Sequence, residues 1–324
     1  RMGGFRSGQN GFMLGKEGCG FKYFCLFLLI LCSCNRGKKE NNVFHVAVLR
    51  GPSVIAFAKM IEDSPEIDSK RLSVDIVDSP EQMQALLIKG EADLAALPMI
   101  NAANLYNKGL KYSLLGCPVW GNLYIVEKKG YNAPSQGTNT LHIFGAGTTP
   151  DILTRYYLEQ KGLTYSLNYS FSTPQEISQG LLSGQIRTAV MAEPFLSLIL
   201  RKDSTLYIKS SLNNPDRTSP GFAQTAIVYA PSLQGKSTIL DSLLDESCQF
   251  AVNQPEQAIK ILENRNIFVL GSLTPESIER CQIKYLSTKE AKRSILDFLR
   301  LIEKYEPKAI GGKVPNDGFM PEKQ

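Results

Sequence analysis

Histidine is scarce in this sequence: there are two in 324 residues, His45 and His142, and each lies inside an apolar run. Of seven cysteines, Cys19, Cys25, Cys32 and Cys34 crowd the first 34 residues, leaving Cys117, Cys248 and Cys281 with no CxxC spacing. A His/Cys metal site is hard to assemble from that inventory, so both histidines read as structural and no metal or cofactor is expected. The odd set of remaining cysteines reads as three buried thiols, with a Cys248–Cys281 bridge the alternative in an oxidising compartment. Charge is also in short supply, at +5 net for this length, and no basic stripe interleaves with aromatics. Nucleic acid is therefore not an expected partner. Tryptophan occurs once, at Trp120.

What is present suits a globular protein with room for two domains: 43% hydrophobic and 21% charged residues. At the N-terminus Lys16 and Lys22 precede "YFCLFLLILC" (23–32), an apolar run too short to span a bilayer but of signal-peptide form. It closes on "LCSC", Leu31 to Cys34. This resembles the lipobox of bacterial lipoproteins, which implies cleavage before Cys34 and acylation of its sulfur. Residues 1–34 are expected to be a lipoprotein signal segment, and "NRGKKENN" (35–42) a polar tether. The expected location is the bacterial cell envelope, lipid-anchored to the membrane and facing the periplasm or exterior.

Beyond the tether, one pattern is written twice. "SPEQMQALLIKGEADLAALP" (79–98) returns as "TPQEISQGLLSGQIRTAVMAEP" (173–194), with Pro80, Leu87, Gly90 and Ala95 matching Pro174, Leu181, Gly184 and Ala189 at one fixed offset. Each copy is a helix followed by a short buried strand. The first lies in a series of alternating strands and helices: "VFHVAVL" (43–49), a turn at Gly51 with Ser53 as expected N-cap, "LSVDIV" (72–77), then a helix from Met99. The second series opens on "LHIFGAG" (141–147) and a helix capped at Thr148 or Thr149 with Pro150 in its first turn. Alternation of this kind predicts two mainly parallel sheets flanked by helices. From Pro231 onward the periodicity is helical, and this part is expected to pack on the first unit without a sheet of its own.

Ligands of open α/β sheets bind beyond the carboxyl ends of the strands, where helix N-termini offer unpaired N–H groups. One unit supplies half a site, and two supply a cleft. The ordered set "GEADLAALPMINAANLYNKG" (90–109), "WGNLYIVEKKG" (120–130), "GAGTTPDILTRYYLEQKGL" (145–163), "AEPFLSLIL" (192–200) and "IGGKVPNDGFM" near the end resembles the periplasmic substrate-binding proteins of ABC transporters. Within them it is similar to the group serving nitrate, taurine, alkanesulfonates and thiamine-pyrimidine precursors. The resemblance implies a two-lobed, type II-like α/β fold with lobe 1 at 43–124 and 230–324 and lobe 2 at 125–229. It also implies crossover strands in "GNLYIV" (121–126) and "QTAIVYA" (224–230), and a cleft lined by Ser53, Pro98, Met99, Asn101, Trp120, Gly121, Gly147, Thr148, Thr149 and Glu193.

The function so implied is non-enzymatic: a monomer that captures a nitrogen- or sulfur-containing organic solute and delivers it to an ABC transporter permease. Helix N-termini and hydroxyls suit anionic oxygens, whereas a carboxylate at 193 suits an amino or ring N–H group. The expected ligand is accordingly small, planar or zwitterionic, with an amino donor toward Glu193. Related two-lobed folds host enzymes of pyrimidine-precursor synthesis and dehydration, and a ligand-sensing module uses the same binding physics; both are alternatives.

Overall fold

The computed structural model describes residues 42–130, 139–214 and 220–321, all within one compact unit, 40–324. The signal-like segment, Cys34 and nearly all of the tether lie outside the described residues.

The chain begins with strand β1 (Val43–Leu49), helices α1 (Pro52–Ile55) and α2 (Ala58–Asp63), β2 (Glu66–Ile67) and β3 (Lys70–Val77). The first repeat copy follows as α3 (Pro80–Lys89) and β4 (Leu94–Pro98), then α4 (Met99–Asn107) and β5 (Ser113–Val119). Next come β6 (Leu123–Lys128), β7 (Thr140–His142), α5 (Thr149–Lys161), β8 (Ser166–Asn168) and the second copy, α6 (Pro174–Leu182) with β9 (Thr188–Ala192). Helix α7 (Phe195–Lys202), β10 (Leu206–Ser211) and β11 (Thr225–Tyr229) complete this part. The tail holds α8 (Ser237–Asn253), α9 (Pro255–Asn264), α10 (Pro275–Arg280), β12 (Ile283–Ser287) and α11 (Thr288–Tyr305).

Among the described residues the first sheet runs β12-β5-β11-β4-β1-β3-β2 and the second β10-β6-β9-β7-β8. The stretch β3-β1-β4-β11-β5 of one is the stretch β8-β7-β9-β6-β10 of the other. In each, the strand of the repeat copy is central, and its short sequence, with two alanines in both copies, is buried on both faces. It is parallel to its own unit's first strand, β1 or β7, and antiparallel to the crossover strand.

That last pairing corrects the expectation of mainly parallel sheets. Both sheets are mixed, because β6 reaches the second sheet from the first and β11 makes the return journey. Each is antiparallel to both of its neighbours. It also shifts the lobe limits. All of β6 belongs to the second sheet and all of β11 to the first, so the crossings lie between Val119 and Leu123 and between Ser211 and Thr225, not at 124/125 and 229/230. The tail packs on the first sheet as expected but adds an unforeseen edge strand, β12, antiparallel to β5.

The crossings touch closely. A Cβ on Gly221 would stand 2.4 Å from the carbonyl oxygen of Trp120 and 1.9 Å from Asn213 Oδ1, so only glycine fits. Trp120 is fully buried, and its Nε1 donates to the Lys284 carbonyl at 2.7 Å, tying the first crossing to β12. One hydrophobic core runs from Met83 of α3 and Leu97 of β4 through Trp120 and Leu123 to Ile152 of α5 and Val190 of β9. Cys117, Cys248 and Cys281 are buried and unbridged.

Candidate functional site: a cavity between the two sheets

A cavity of about 170 Å³ lies where the strand ends of both sheets meet. Ser53, Pro98, Val119, Gln224 and Thr225 wall it from the first sheet, and Phe144, Thr149, Pro150 and Ala192 from the second, with Asn122 of the crossing between. This is room for a solute of several non-hydrogen atoms, since a single water needs only about 10–15 Å³ by the same measure.

The wall follows from the duplicated fold. Pro98 ends β4 and Ala192 ends β9, so the two repeat copies deliver their last strand residues to the same space. Ser53 follows β1, and Thr149 opens α5 after β7. Ser53 Oγ and Thr225 Oγ1 are 3.5 Å apart, at the outer limit of a hydrogen bond. The N-cap before α1 is Gly51, so Ser53 sits inside that short helix and not at the cap position expected. Thr148 is the N-cap of α5, but its hydroxyl donates back to the Gly145 carbonyl at 2.5 Å instead of capping the helix.

Formal charges beside the cavity are engaged by the protein. Arg50, on the wall by its position, donates through Nε to Asp78 at 2.6 Å and through Nη1 to the Ile267 carbonyl. Asp151, in the first turn of α5, accepts Gly147 N–H at 2.8 Å, Tyr169 O–H at 2.7 Å and two bonds from Arg155 at 3.1 Å each. Glu193 is sealed: its side chain is 0% exposed and takes Arg280 Nε at 2.5 Å. The Ser197 hydroxyl donates to it at 3.0 Å, and the Ser197 N–H at 3.1 Å. Arg280 also donates to Ser197 Oγ at 2.7 Å, closing the network.

Of the residues expected in the cleft, Ser53, Pro98 and Thr149 stand on the wall. The others do not. Met99 is fully buried in the core, and Asn101 is half-buried in the first turn of α4. Trp120 is packed as described, and a Cβ on its neighbour Gly121 would meet the Gln282 side chain at 2.6 Å. Gly147 is half-buried, holds a φ of +73°, and lies against Glu306. Glu193 accepts from Arg280 and Ser197 and is not among the wall residues.

Gln224, Thr225, Asn122, Val119 and Phe144 escaped the sequence reading. Gln224 carried a usable signal, as a lone amide at the mouth of the buried strand "TAIVY". The others become wall residues only through the crossing geometry.

No protein-family model matches the chain, and no curated protein matches it. A crystal structure of an ABC transporter from Parabacteroides distasonis is similar with a TM-score of 0.83 and 55% identity, over 88% of this chain and 100% of that one. The periplasmic aliphatic sulphonate binding protein SsuA from Escherichia coli shares the fold at 16% identity, with a TM-score of 0.66 over 87% of this chain and 93% of its own. The periplasmic nitrate-binding protein NrtA from Synechocystis does so at 14% identity, with a TM-score of 0.53 over 74% and 69%.

Proposed function

The chain belongs to the periplasmic binding proteins of ABC transporters, and from that premise we propose that it is a lipid-anchored receptor for a small organic solute. It takes the solute into the cavity between its lobes and presents it to the transporter's permease. The anchor is Cys34, inferred from the "LCSC" sequence. The observation that carries the reading is the two-sided wall: Pro98 and Ser53 from one lobe, Ala192 and Thr149 from the other, around one cavity.

The mechanism follows from that wall. A solute touching residues of both lobes contacts all of them only when the lobes are closed, so its binding free energy shifts the population toward closure. Each crossing is a single passage of chain, where hinge motion can be absorbed. Binding is favoured over acid–base chemistry by the state of the two carboxylates next to the wall in sequence. Asp151 and Glu193 each lie against an arginine and already accept several hydrogen bonds.

The test begins with the solute that copurifies with the chain from its native host, released and identified by mass spectrometry, then rebound by calorimetry. Ser53→Ala and Thr149→Ala are each expected to weaken rebinding by about 1 kcal/mol, roughly fivefold, through loss of one hydrogen bond. Unchanged affinity in both variants would remove the cavity as the binding site.

A further inference from the structure

Two helices of the second lobe turn a regularly spaced strip of polar side chains toward the first. Glu193 just before α7, with Ser197 and Arg201 within it, follows a spacing of four, which sets the three on one side. Their partners are Arg280 of α10 and the Gly271 carbonyl, to which Arg201 Nη2 donates. On α5 the same spacing gives Asp151, Arg155 and Glu159. Here the partners end the tail helix α11, which packs on β5 and β12 of the first sheet.

Arg155 divides its guanidinium between the lobes. Within α5, Nε and Nη2 donate to the Asp151 carboxylate at 3.1 Å each. Across to the first lobe, Nη1 donates to the Tyr305 carbonyl at 3.1 Å, and Nη2 stands 3.5 Å from Glu306 Oε2. One turn on, Glu159 accepts Lys304 Nζ at 3.0 Å and the Tyr305 hydroxyl. Between them Tyr156 meets Tyr305 edge-on at 6.4 Å and Phe222, in the second crossing, at 5.7 Å. Hinge motion at that crossing therefore has to part or slide these contacts.

The strip is also tied to the cavity. Asp151 accepts the Gly147 N–H at 2.8 Å, in the turn between Phe144 and Thr149 of the wall. The Asp151 side chain is 6% exposed, whereas those of Lys304 and Glu159 are 59% and 52% exposed. The inner end of the strip thus fixes the turn, and the outer end is open to screening by salt. The α7 strip differs, because Glu193 is sealed.

We propose that Arg155 is a positioning residue and forms, with Glu159, a latch for closure. Closing the cleft seats the α5 strip on the end of α11. In that seat the Arg155 fork holds Asp151 and, through it, the turn beside the cavity wall. The latch favours the closed form before any solute enters. This rests on the receptor reading and adds to it a control of closure built into the fold. An exposed ion pair contributes little to folding, but an open–closed equilibrium needs only a small bias to shift severalfold.

The experiment uses the full chain, freed of solute, with spin labels on ketone-bearing residues introduced at Glu81 and Gln175. These are matching, exposed positions of α3 and α6, one on each lobe. Electron–electron resonance then reads the ratio of short to long interlobe distances. Wild type is expected to show a short-distance population at about 0.01 M salt, shrinking severalfold at 1 M, as the screening length falls from about 30 Å to about 3 Å. Glu159→Gln is expected to lower the low-salt ratio about threefold and to blunt its response to salt. Arg155→Met is expected to lower it about tenfold. Glu159→Lys and Lys304→Glu should each lower it, and together restore both the ratio and its salt response.

An empty wild type with no short population, a ratio indifferent to salt, a Glu159→Gln ratio equal to wild type, or an exchange that restores nothing each overturns the latch. Should Arg155→Met fail to fold, Glu159→Gln and the exchange decide. The receptor reading is judged by adding an extract released from the chain purified from its native host. An extract that shortens the distance equally in wild type and Glu159→Gln, where their empty ratios also agree, removes the latch and leaves the receptor standing. Distances that answer neither salt, substitution nor extract remove both.

Discussion

Pro98 at the end of β4 and Ala192 at the end of β9 occupy matching positions of the two repeat copies, and both lie on the cavity wall. One residue later the copies part. Met99 is buried in the hydrophobic core and anchors the start of α4, within the first lobe. Glu193, at the matching position, is just as deeply buried but reaches Arg280 on α10, which belongs to the other lobe. The same unit has thus been used twice to build a wall, and the residue behind the wall decides what each copy does next. An apolar side chain ties its own lobe together. A charged one clamps the second lobe to the first beside the crossing, where Asn122 Oδ1 also accepts the Glu193 N–H at 2.9 Å.

The sharpest way to break this contrast is to strip the clamp of its cation. Arg280→Met leaves a fully buried carboxylate unpaired, and the expected loss is about 3–5 kcal/mol in urea unfolding. Adding Glu193→Gln is expected to restore most of it, since the double variant buries no charge. At the matching position Met99→Leu is expected to cost less than about 1.5 kcal/mol, as a volume-conserving swap in an apolar core. A loss below about 1 kcal/mol in Arg280→Met, or no recovery in the double variant, would show that the pair does not clamp the lobes.

A second contrast lies deeper in the sheets. Ala47 of β1 pairs with Ala95 of the first copy, and His142 of β7 pairs with the matching Ala189 of the second. Burial lowers the His142 pKa below its ordinary value of 6.5, opposed by the bond from Nδ1 to the Thr188 carbonyl at 3.2 Å. The folded state therefore prefers the neutral ring. The stability this sustains is fully present above the unfolded pKa, and is lost as pH falls through 6.5 toward the lower folded value. His142→Asn, which can still donate to Thr188, is expected to remove that slope. Urea unfolding between pH 8 and pH 5 should show wild type losing stability relative to the variant on acidification. Parallel pH profiles would place the charge change elsewhere, since Ala47 gives the first sheet no such group at that position.

These contrasts also explain what could be read before the fold was known. The duplicated period, the strand ends and the glycine turns are local, so the two units, β1, α4, α5 and the helical tail were legible, and Ser53, Pro98 and Thr149 with them. Residues whose roles depend on the crossings were not. Nothing local distinguishes Glu193 as a partner of Arg280, 87 positions away, from Glu193 as a ligand group. Trp120 could equally stack on a guest or fill a core until the close approach of Gly221 and the bond to Lys284 place it in the second role. Strand β12 was hidden because "IKYLS" is a five-residue edge strand between two helices, too short for its alternation to stand out.

The finest difference between the copies is at the helix starts. Ser79 caps α3 by accepting Gln82 N–H at 3.2 Å, while Thr173 caps α6 by accepting Glu176 N–H at 3.2 Å. Removing either hydroxyl, in Ser79→Ala or Thr173→Ala, is expected to cost about 1 kcal/mol. The third residue of each helix differs only in charge. Glu176 returns its carboxylate to the Thr173 N–H at 3.3 Å and the Ser172 N–H at 2.6 Å, and Gln82 returns its amide oxygen to the Asp78 N–H at 3.2 Å. A carboxylate there also meets the positive end of the helix dipole, so Glu176→Gln is expected to lose, and Gln82→Glu to gain, about 0.3–1 kcal/mol at low salt. Both shifts should shrink in 1 M salt, where screening acts within about 3 Å. Opposite signs that fade together would make the two caps one device in two charge states. Equal signs, or effects indifferent to salt, would mean that the neighbouring loops and not the dipole set the difference.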